Sequence, residues 1–339
     1  MWLNESFSVT KRVLIGLLWL VGISVAHYQL NVGHEERPIV RVGYMPVITN
    51  MAAPLLDKVT EEQGEVRYQA LKFASFAEMA EALRNDQIQV AFMIAPLSIV
   101  MRQQGADVRV VMIGNRHEST LVARKELKAR SLKDLAGKTV AVPMRFSGHN
   151  ISIRDLLREQ GLSNSISVVE MNPPDMASAL TTGSLDAYYV GEPFAAQTVK
   201  SGDADVVFRV SEVWPNFMCN LVVVKQDLID RKPAVVQSMV NTAVRSGLWA
   251  SRNPEKAATI VSRYWNQSKE LVQYALTTPP DRIRYDRFLP EKHEFQDMAD
   301  RMVKLNLLKR SDIDGLIEDR FARSVDLSGV TDLQSIIKK

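Results

Sequence analysis

The sequence predicts an α/β protein built from two lobes, and three observations support this prediction. Between Pro38 and Val210, apolar segments typical of strands alternate with helical segments of about ten residues, which favours mostly parallel sheets covered on both faces. The chain has 339 residues, more than one core usually organises. Beyond Trp214 a single strand is followed by mainly helical sequence. We therefore expect a ligand-binding cleft between two lobes and a helical C-terminal part.

The first lobe is predicted from four apolar segments and one well-marked helix. Ser75 is a suitable N-cap for a helix whose apolar residues recur at helical spacing through Leu83. The predicted strands of this lobe are Ile39–Tyr44, Val66–Phe73, Ile88–Ile94 and Val108–Ile113.

The second lobe repeats the alternation. Residues 147–150 open one helix, a second runs from Asp175 to Thr181 and ends at Gly183, and Pro193 opens a third. The predicted strands are Thr139–Val142, Ile166–Met171, Leu185–Val190 and Val206–Val210. The third of these strands leads into a helix through the turn VGEP, and open α/β sheets place ligands at such carboxyl ends.

The remaining sequence is predicted to complete the first lobe. One strand, Leu221–Val224, is followed by the helices Pro233–Ala250, Pro254–Trp265, Lys269–Leu276 and Glu291–Leu305. We expect the chain to cross between the lobes twice, near Ser119–Ala123 and near Phe217–Val223.

The N-terminal segment has the pattern of an export signal. Lys11 and Arg12 precede an apolar run from Val13 to Ala26, which ends in the small-x-small pattern of a signal-peptidase site. The run is shorter than the about 20 residues of a spanning helix. We predict an export signal over residues 1–26; an uncleaved anchor is the alternative, because apolar residues after Ala26 lengthen the stretch.

Composition and motifs argue against several function classes. A net charge of +3 gives no basic field for nucleic acid. The single cysteine, Cys219, excludes a disulfide framework and a cysteine-clustered metal site, and it is expected to be a buried small residue. The five histidines stand apart, and phosphate-loop, zinc-protease and serine-hydrolase motifs are absent. We therefore predict no enzyme, no catalytic residues, no cofactor and no metal.

Three segments together resemble the periplasmic substrate-binding proteins of ABC importers for nitrate, sulfonate, taurine and bicarbonate. They are VGYMPVITNMAAPLL, GKTVAVPMRFSGHNISIRDLLREQGL and PPDMASALTTGSLDAYYVGEPFAAQ. The tail, with EFQDMADRMVKLNLL and FARSV, is similar to the family's C-terminal helices, so the resemblance covers Arg41 to Val325. VGEP is followed by Phe194, where the nitrate and bicarbonate relatives usually carry Trp, so the resemblance leaves the ligand open.

The resemblance implies a type II periplasmic-binding-protein fold, whose lobes close on a small anionic or zwitterionic ligand and deliver it to an ABC permease in the membrane. It implies a periplasmic protein, either free or tethered through its N-terminal segment. The expected organisation is lobe I at 38–120 and 216–325, the latter with the C-terminal helices, lobe II at 121–215, and a tail at 326–339.

The candidate ligand-binding residues lie at strand ends and helix starts facing the expected cleft. They are Thr49, Asn50, Ala95, Pro96, Ser147, Gly148, His149, Asn150, Tyr189 and Glu192. These residues have plainer alternative roles: Thr49 and Asn50 as turn formers, Ala95 and Pro96 as packing residues, Ser147 and Asn150 as helix caps, and Tyr189 as a packed ring.

Two of these residues bear on the charge of the ligand. His149, at the amino end of a helix, either donates to an anion or is a surface or capping histidine. Glu192 repels a bare anion, so it suits a ligand with its own donor, such as bicarbonate or an amine-bearing sulfonate. Its alternative role is to cap or orient its helix.

The leading functional hypothesis is an exported solute-binding protein for a small oxyanion or sulfonate-like ligand. A ligand-sensing regulatory protein of the same fold is an alternative, against which the export signal argues. A third is an enzyme similar to those that form the thiamine pyrimidine; these carry a cysteine-rich motif, whereas this chain has one cysteine.

Overall fold

The computed structural model describes residues 9–28 and 37–337 and divides the chain into two compact units, 1–38 and 39–339. The first unit contains helix α1, Val9–His27. Its window Thr10–His27 has a mean hydropathy of 1.3, so α1 is long and apolar enough to cross a membrane. Residues 1–8 of the predicted export signal and 338–339 of the predicted tail lie outside the described residues.

The second unit contains two five-stranded sheets, which form two lobes as predicted. The sheet of lobe I has the order β2-β1-β3-β10-β4 and consists of β1 Ile39–Tyr44, β2 Arg67–Lys72, β3 Val90–Ile94, β4 Val108–Ile113 and β10 Asn220–Lys225. The sheet of lobe II has the order β7-β6-β8-β5-β9 and consists of β5 Ser119–Arg124, β6 Thr139–Val142, β7 Ser167–Glu170, β8 Ala187–Gly191 and β9 Ala204–Arg209.

Each sheet is mostly parallel, with one antiparallel strand. These strands are β10 and β5, and each is the strand that the chain enters after crossing from the other lobe. The segment near Ser119–Ala123, predicted as a crossing, is therefore itself strand β5, and the crossing precedes it. The apolar residues Leu121–Ala123 of β5 are buried because both faces of the sheet are covered.

Helices cover both faces of each sheet. They are α2 Ala52–Thr60, α3 Phe76–Arg84, α4 Ala95–Gln103, α5 Gly148–Glu159, α6 Pro173–Thr181, α7 Phe194–Ser201, α8 Val210–Val213, α9 Gln226–Arg231, α10 Pro233–Arg252, α11 Pro254–Trp265, α12 Lys269–Thr277, α13 Lys292–Lys304 and α14 Arg320–Arg323. In lobe I, α3, α4 and α13 pack on one face and α2, α10 and α11 on the other.

Local sequence signals account for several of these ends. The Ser75 side chain accepts a hydrogen bond from the Glu78 amide and so caps α3 as predicted. Gly183 follows α6 with φ of +79°, the left-handed conformation that glycine adopts at little cost. Helix α4 was not predicted, because its apolar sequence APLSIVM has no helical periodicity: residues 95–101 are buried all round.

Two crossing segments join the lobes, residues 114–118 and 214–219, and one arginine ties them together. Arg116 is buried, and its backbone lies in isolated bridges opposite Met218 and Arg284. Its guanidinium donates to the carbonyls of Asn216 at 2.9 Å and Arg287 at 3.1 Å. A third bond, at 2.7 Å, reaches a carboxylate oxygen of Glu294 on α13.

Loss of this arginine is expected to destabilise the protein strongly. Arg116→Met leaves Glu294 buried without its main cation, and removing one partner of a buried pair costs about 3–5 kcal/mol. Arg287→Met is the matched control, because Arg287 faces the same carboxylate at 3.6 Å with 43% of its side chain exposed. The control is expected to lose about 0–1 kcal/mol. Urea unfolding measures both, and equal losses would contradict this role.

Candidate functional site

The candidate site is a cleft between the carboxyl ends of the strands of the two lobes, where two cavities adjoin. An outer cavity of about 440 Å³ lies between the start of α3 and the ends of β6 and β7. An inner cavity of about 10 Å³, room for about one water, lies deeper. Phe76, Pro143 and Pro173 line both. In this structure the two lobes therefore lie close together around a small interior, which is lined by apolar residues and a few polar side chains.

A chain of three polar side chains lies at the inner cavity. The Ser119 hydroxyl donates to Glu118 Oε1 at 3.0 Å, and His149 Nε2 lies 2.9 Å from the same hydroxyl oxygen. The hydroxyl has one proton, so with Glu118 ionised that proton points to the carboxylate and His149 Nε2 must be the donor. His149 Nδ1 is then an acceptor, and it is buried without a partner among the described residues.

Burial sets the charge of the two side chains at the ends of this polar chain, His149 and Glu118. It lowers the pKa of His149 to about 3, so the imidazole is neutral at physiological pH. It raises the pKa of Glu118 to about 7, and the nearby charge of Glu192 acts in the same direction. The inner cavity therefore has a neutral histidine beside a carboxyl group that titrates near neutrality.

Cys219 lines the same cavity as a protonated thiol. Its sulfur donates to Asn220 Oδ1 at 3.2 Å. Burial, reinforced by the charge of Glu118, raises the pKa of this thiol well above its ordinary value. Since the thiolate is the nucleophilic form, Cys219 is not poised for attack on a substrate.

The carboxylate of Glu192 is fully occupied within the protein. One oxygen accepts from the Thr120 hydroxyl at 2.9 Å and from Arg282 at 3.0 Å. The other accepts from the Ala196 amide, at 2.7 Å, in the first turn of α7. These contacts are those of a residue that caps and orients its helix, the second of its two predicted roles.

The backbone at Glu192 joins the two lobes and also holds Glu118. The Glu192 carbonyl accepts from the Ile48 amide of lobe I at 2.8 Å, and its amide donates to Glu118 Oε2 at 2.6 Å. A Cβ at Gly191 would lie only 2.7 Å from that oxygen. The glycine of VGEP is therefore required for the close approach of Glu118.

Thr49 and His149 are the two predicted residues that line the inner cavity. Asn50 lies behind it, with its side-chain oxygen accepting from Asn220 at 2.6 Å and its amide donating to the Phe92 carbonyl. Tyr189 is buried in lobe II, with its ring against His149.

The other predicted residues lie at helix starts. Ala95 and Pro96 begin α4 and are buried. Ser147 caps α5 by accepting from the Asn150 amide. Gly148 packs on Phe217, where a Cβ would come within 2.7 Å of the ring.

Sequence reasoning missed Glu118, Cys219 and Asn220 as cleft residues. The sequence signal that could have indicated Glu118 was its position: it lies in the polar run GNRHES, which connects two apolar strands at the crossing. Cys219 and Asn220 occupy the matching position on the return crossing. Polar residues at both crossings lie where the two lobes meet, and that is the position of a ligand in such folds.

Glu118 and His149 predict opposite pH dependences. Between pH 7 and 5 the unfolded state takes up a proton at His149 that the folded state does not, so this residue makes stability fall on acidification. The folded state takes up a proton at Glu118 that the unfolded state does not, so this residue makes stability rise.

Variants separate the two effects by urea unfolding at pH 7 and pH 5. Relative to the unmodified protein, Glu118→Gln is expected to lose about 2 kcal/mol on acidification and His149→Gln to gain about 2 kcal/mol. Glu159→Gln, at an exposed position, is the control and should follow the unmodified protein. The same pH dependence in all three variants would refute the buried environments described for Glu118 and His149.

The comparisons with known proteins agree with this architecture. Over 188 residues the chain is 25% identical to the taurine-binding periplasmic protein of Escherichia coli (strain K12), a match that covers 54% of this chain and 58% of that protein. Over 324 residues it is 22% identical to a putative aliphatic sulfonates-binding protein of Bacillus subtilis (strain 168), covering 92% and 95%.

Structural comparison extends the likeness to the fold. The crystal structure of the periplasmic nitrate-binding protein NrtA from Synechocystis PCC 6803 superposes with a TM-score of 0.76 at 16% identity, covering 85% of this chain and 88% of that one. The predicted resemblance to periplasmic substrate-binding proteins of ABC importers is confirmed. The model of the NMT1-like family matches residues 33–264, more than half of the chain, and the chain belongs to that family.

Proposed function

We propose that the protein is an exported solute-binding protein of an ABC importer, which captures a small oxyanion or sulfonate-like ligand between its lobes. The observation that carries this proposal is the cleft itself, where Thr49 and Asn220 of lobe I face His149 of lobe II. The named relatives bind taurine and, putatively, aliphatic sulfonates, and they support the same class of ligand.

The proposed mechanism is binding by lobe movement. The inner cavity of about 10 Å³ is too small for a sulfonate, so the ligand enters when the lobes separate at the two crossing segments. Separation breaks the Ile48–Glu192 backbone bond and the pairing of Glu192 with Arg282. Closure restores these bonds, removes water from the ligand and presents a closed form to the ABC permease.

The proposal is binding without catalysis. Cys219 is held as a thiol, and among residues 9–28 and 37–337 no group of His, Cys, Asp or Glu has the arrangement of a metal site. We propose lobe boundaries at 38–120 with 216–325 and at 121–215. We propose a periplasmic location, with α1 either removed as an export signal or kept as a tether.

A ligand screen tests this function. We expect saturable binding by calorimetry of at least one of taurine, an alkanesulfonate, nitrate, nitrite and hydrogen carbonate. Closure should also change tryptophan fluorescence, because Trp214 lies in the second crossing segment, 4.6 Å from the guanidinium of Arg301. Trp214→Phe is the control that should lose the optical change and keep the heat of binding. Absence of binding across the whole set would overturn the proposal.

The location predicts a fractionation result. The protein is expected in the periplasmic fraction, with a mature N-terminus near His27 if the segment is removed, or in the membrane fraction if α1 is retained. N-terminal sequencing of the recovered protein decides between the two. Full-length protein in the cytoplasm would contradict export and favour the regulatory alternative.

A further inference from the structure

We propose that an ion pair outside the cleft, Asp155 with Arg301, holds the two lobes together and limits how fast a bound solute leaves. Asp155 lies on α5 of lobe II, and Arg301 lies on α13 of lobe I. Arg301 donates to a carboxylate oxygen of Asp155 at 2.9 Å. Only the effect on solute release rests on the proposed solute-binding function, because this α5–α13 ion pair is itself a contact between the lobes.

The α5–α13 ion pair and the pair of Glu192 with Arg282 lie on opposite faces of the sheets. In lobe II, α5 packs on the face that includes Leu121 and Ala123, whereas α7 packs on the face that includes Val122. Helix α5 contacts α13 and helix α7 contacts α12, and these two helices of lobe I also lie on opposite faces. In both pairs lobe I supplies the arginine and lobe II the carboxylate. The lobes are therefore tied together on both sides of the crossing segments.

The carboxylate of Asp155 depends on one arginine from each lobe. It is buried, with 6% of the side chain exposed. One oxygen accepts from Arg158 at 3.0 Å, on the next turn of α5, and the other accepts from Arg301. A buried carboxylate is tolerated only when it is paired and hydrogen-bonded. Separation of the lobes removes Arg301 from this carboxylate, so the pair favours the arrangement in which the lobes lie together.

Arg301 is positioned by its own helix and by the second crossing segment. Its Nε donates to Asp297, one turn earlier on α13, at 2.9 Å. Its guanidinium lies 4.6 Å from the ring centroid of Trp214 in the crossing segment. A cavity of about 320 Å³ lies between this segment and α13, so apolar packing between them is incomplete. The contacts of Arg301 therefore carry a larger share of the attachment of α13 to this region.

The place of Asp155 along α5 makes the pair sensitive to lobe movement. Helix α5 begins at Gly148, which packs on Phe217 of the second crossing segment. Asp155 follows about 10 Å further along the helix, at a rise of about 1.5 Å per residue. A rotation of α5 by about 15° about the contact with Phe217 displaces Asp155 by about 3 Å. A displacement of this size breaks the hydrogen bond to Arg301.

One backbone amide reports separation of the lobes directly. The amide of Ile48 in lobe I donates to the carbonyl of Glu192 in lobe II at 2.8 Å. Ile48 begins the short helical turn 48–50, and the first amide of such a turn has no acceptor inside it. When the lobes separate, this amide loses its acceptor and exchanges with solvent. The amides of β1 are a reference, because β1 pairs with β2 and β3 inside lobe I.

Hydrogen exchange on the full chain, without added solute, tests the α5–α13 ion pair. Arg301→Met removes the donor from lobe I, and exchange at Ile48 is expected to become about three- to tenfold faster, the effect of one partly exposed charged hydrogen bond. Arg158→Met is the matched control, because it removes the other arginine of the same carboxylate but breaks only a contact within α5. The control should leave exchange at Ile48 unchanged.

The contrary outcomes are distinct. Unchanged exchange at Ile48 in Arg301→Met would overturn the inference, as would equal acceleration in Arg301→Met and Arg158→Met. Acceleration at β1 by the same factor as at Ile48 would also overturn it, because that pattern is a loss of global stability. Arg301→Lys keeps the charge and should give intermediate exchange at Ile48, so the test stands even where Arg301→Met does not fold.

The effect on function is measured as the release of radiolabelled taurine into an excess of unlabelled taurine. Release requires the lobes to separate, so it should be about three- to tenfold faster in Arg301→Met and unchanged in Arg158→Met. Unchanged release in Arg301→Met would overturn the role in release. Failure of the unmodified protein to bind taurine, nitrate and ethanesulfonate alike would overturn the solute-binding function and the effect on release together. Exchange at Ile48 then still decides whether the α5–α13 ion pair holds the lobes.

Discussion

The arrangement of the cleft depends on Arg116 and the way it ties the two crossing segments. The guanidinium is buried, and a buried charge is tolerated only when it is paired and hydrogen-bonded. Its partners lie on the return crossing, on the segment before α13 and on α13 itself. Because Glu118 and Ser119 follow within three residues, the same anchor fixes where lobe II begins and where the acidic end of the polar chain lies.

The two buried carboxylates of the cleft have different surroundings and therefore different roles. Glu192 has an arginine, a hydroxyl and a helix amide, so its charge is balanced inside the protein. Glu118 has a hydroxyl, the thiol of Cys219 and a backbone amide around it but no cation, and burial raises its pKa. Perturbed groups without an internal counter-charge are typical of binding sites. Glu192 of the VGEP motif is thus held by contacts within the protein, whereas Glu118, beside Gly191 of that motif, lines the inner cavity.

Much of the fold could be predicted from the sequence, because strands and caps are local features. The predicted strands lie within two residues of those observed, and Ser75 and Ser147 cap the helices that they were predicted to open. Less of the candidate site could be predicted from the sequence. Arg282 is separated from Glu192 by 90 residues and lies in a turn without a motif, so no local pattern indicates that the pair forms. Strand β5 was missed because it begins with the polar residues Ser119 and Thr120, which are buried rather than exposed to solvent.

The energetic cost of the unpaired His149 nitrogen in the ligand-free cleft indicates that this polar side chain serves binding. A histidine whose only function was packing would be expected to satisfy both ring nitrogens, since leaving one buried and unpaired is unfavourable by about 1–3 kcal/mol. An apolar residue at position 149 would pack between Tyr189 and Phe217 without that penalty. Unfavourable polar arrangements persist in folded proteins mainly where function uses them. His149, which carries the unpaired nitrogen, lines the inner cavity between the two lobes.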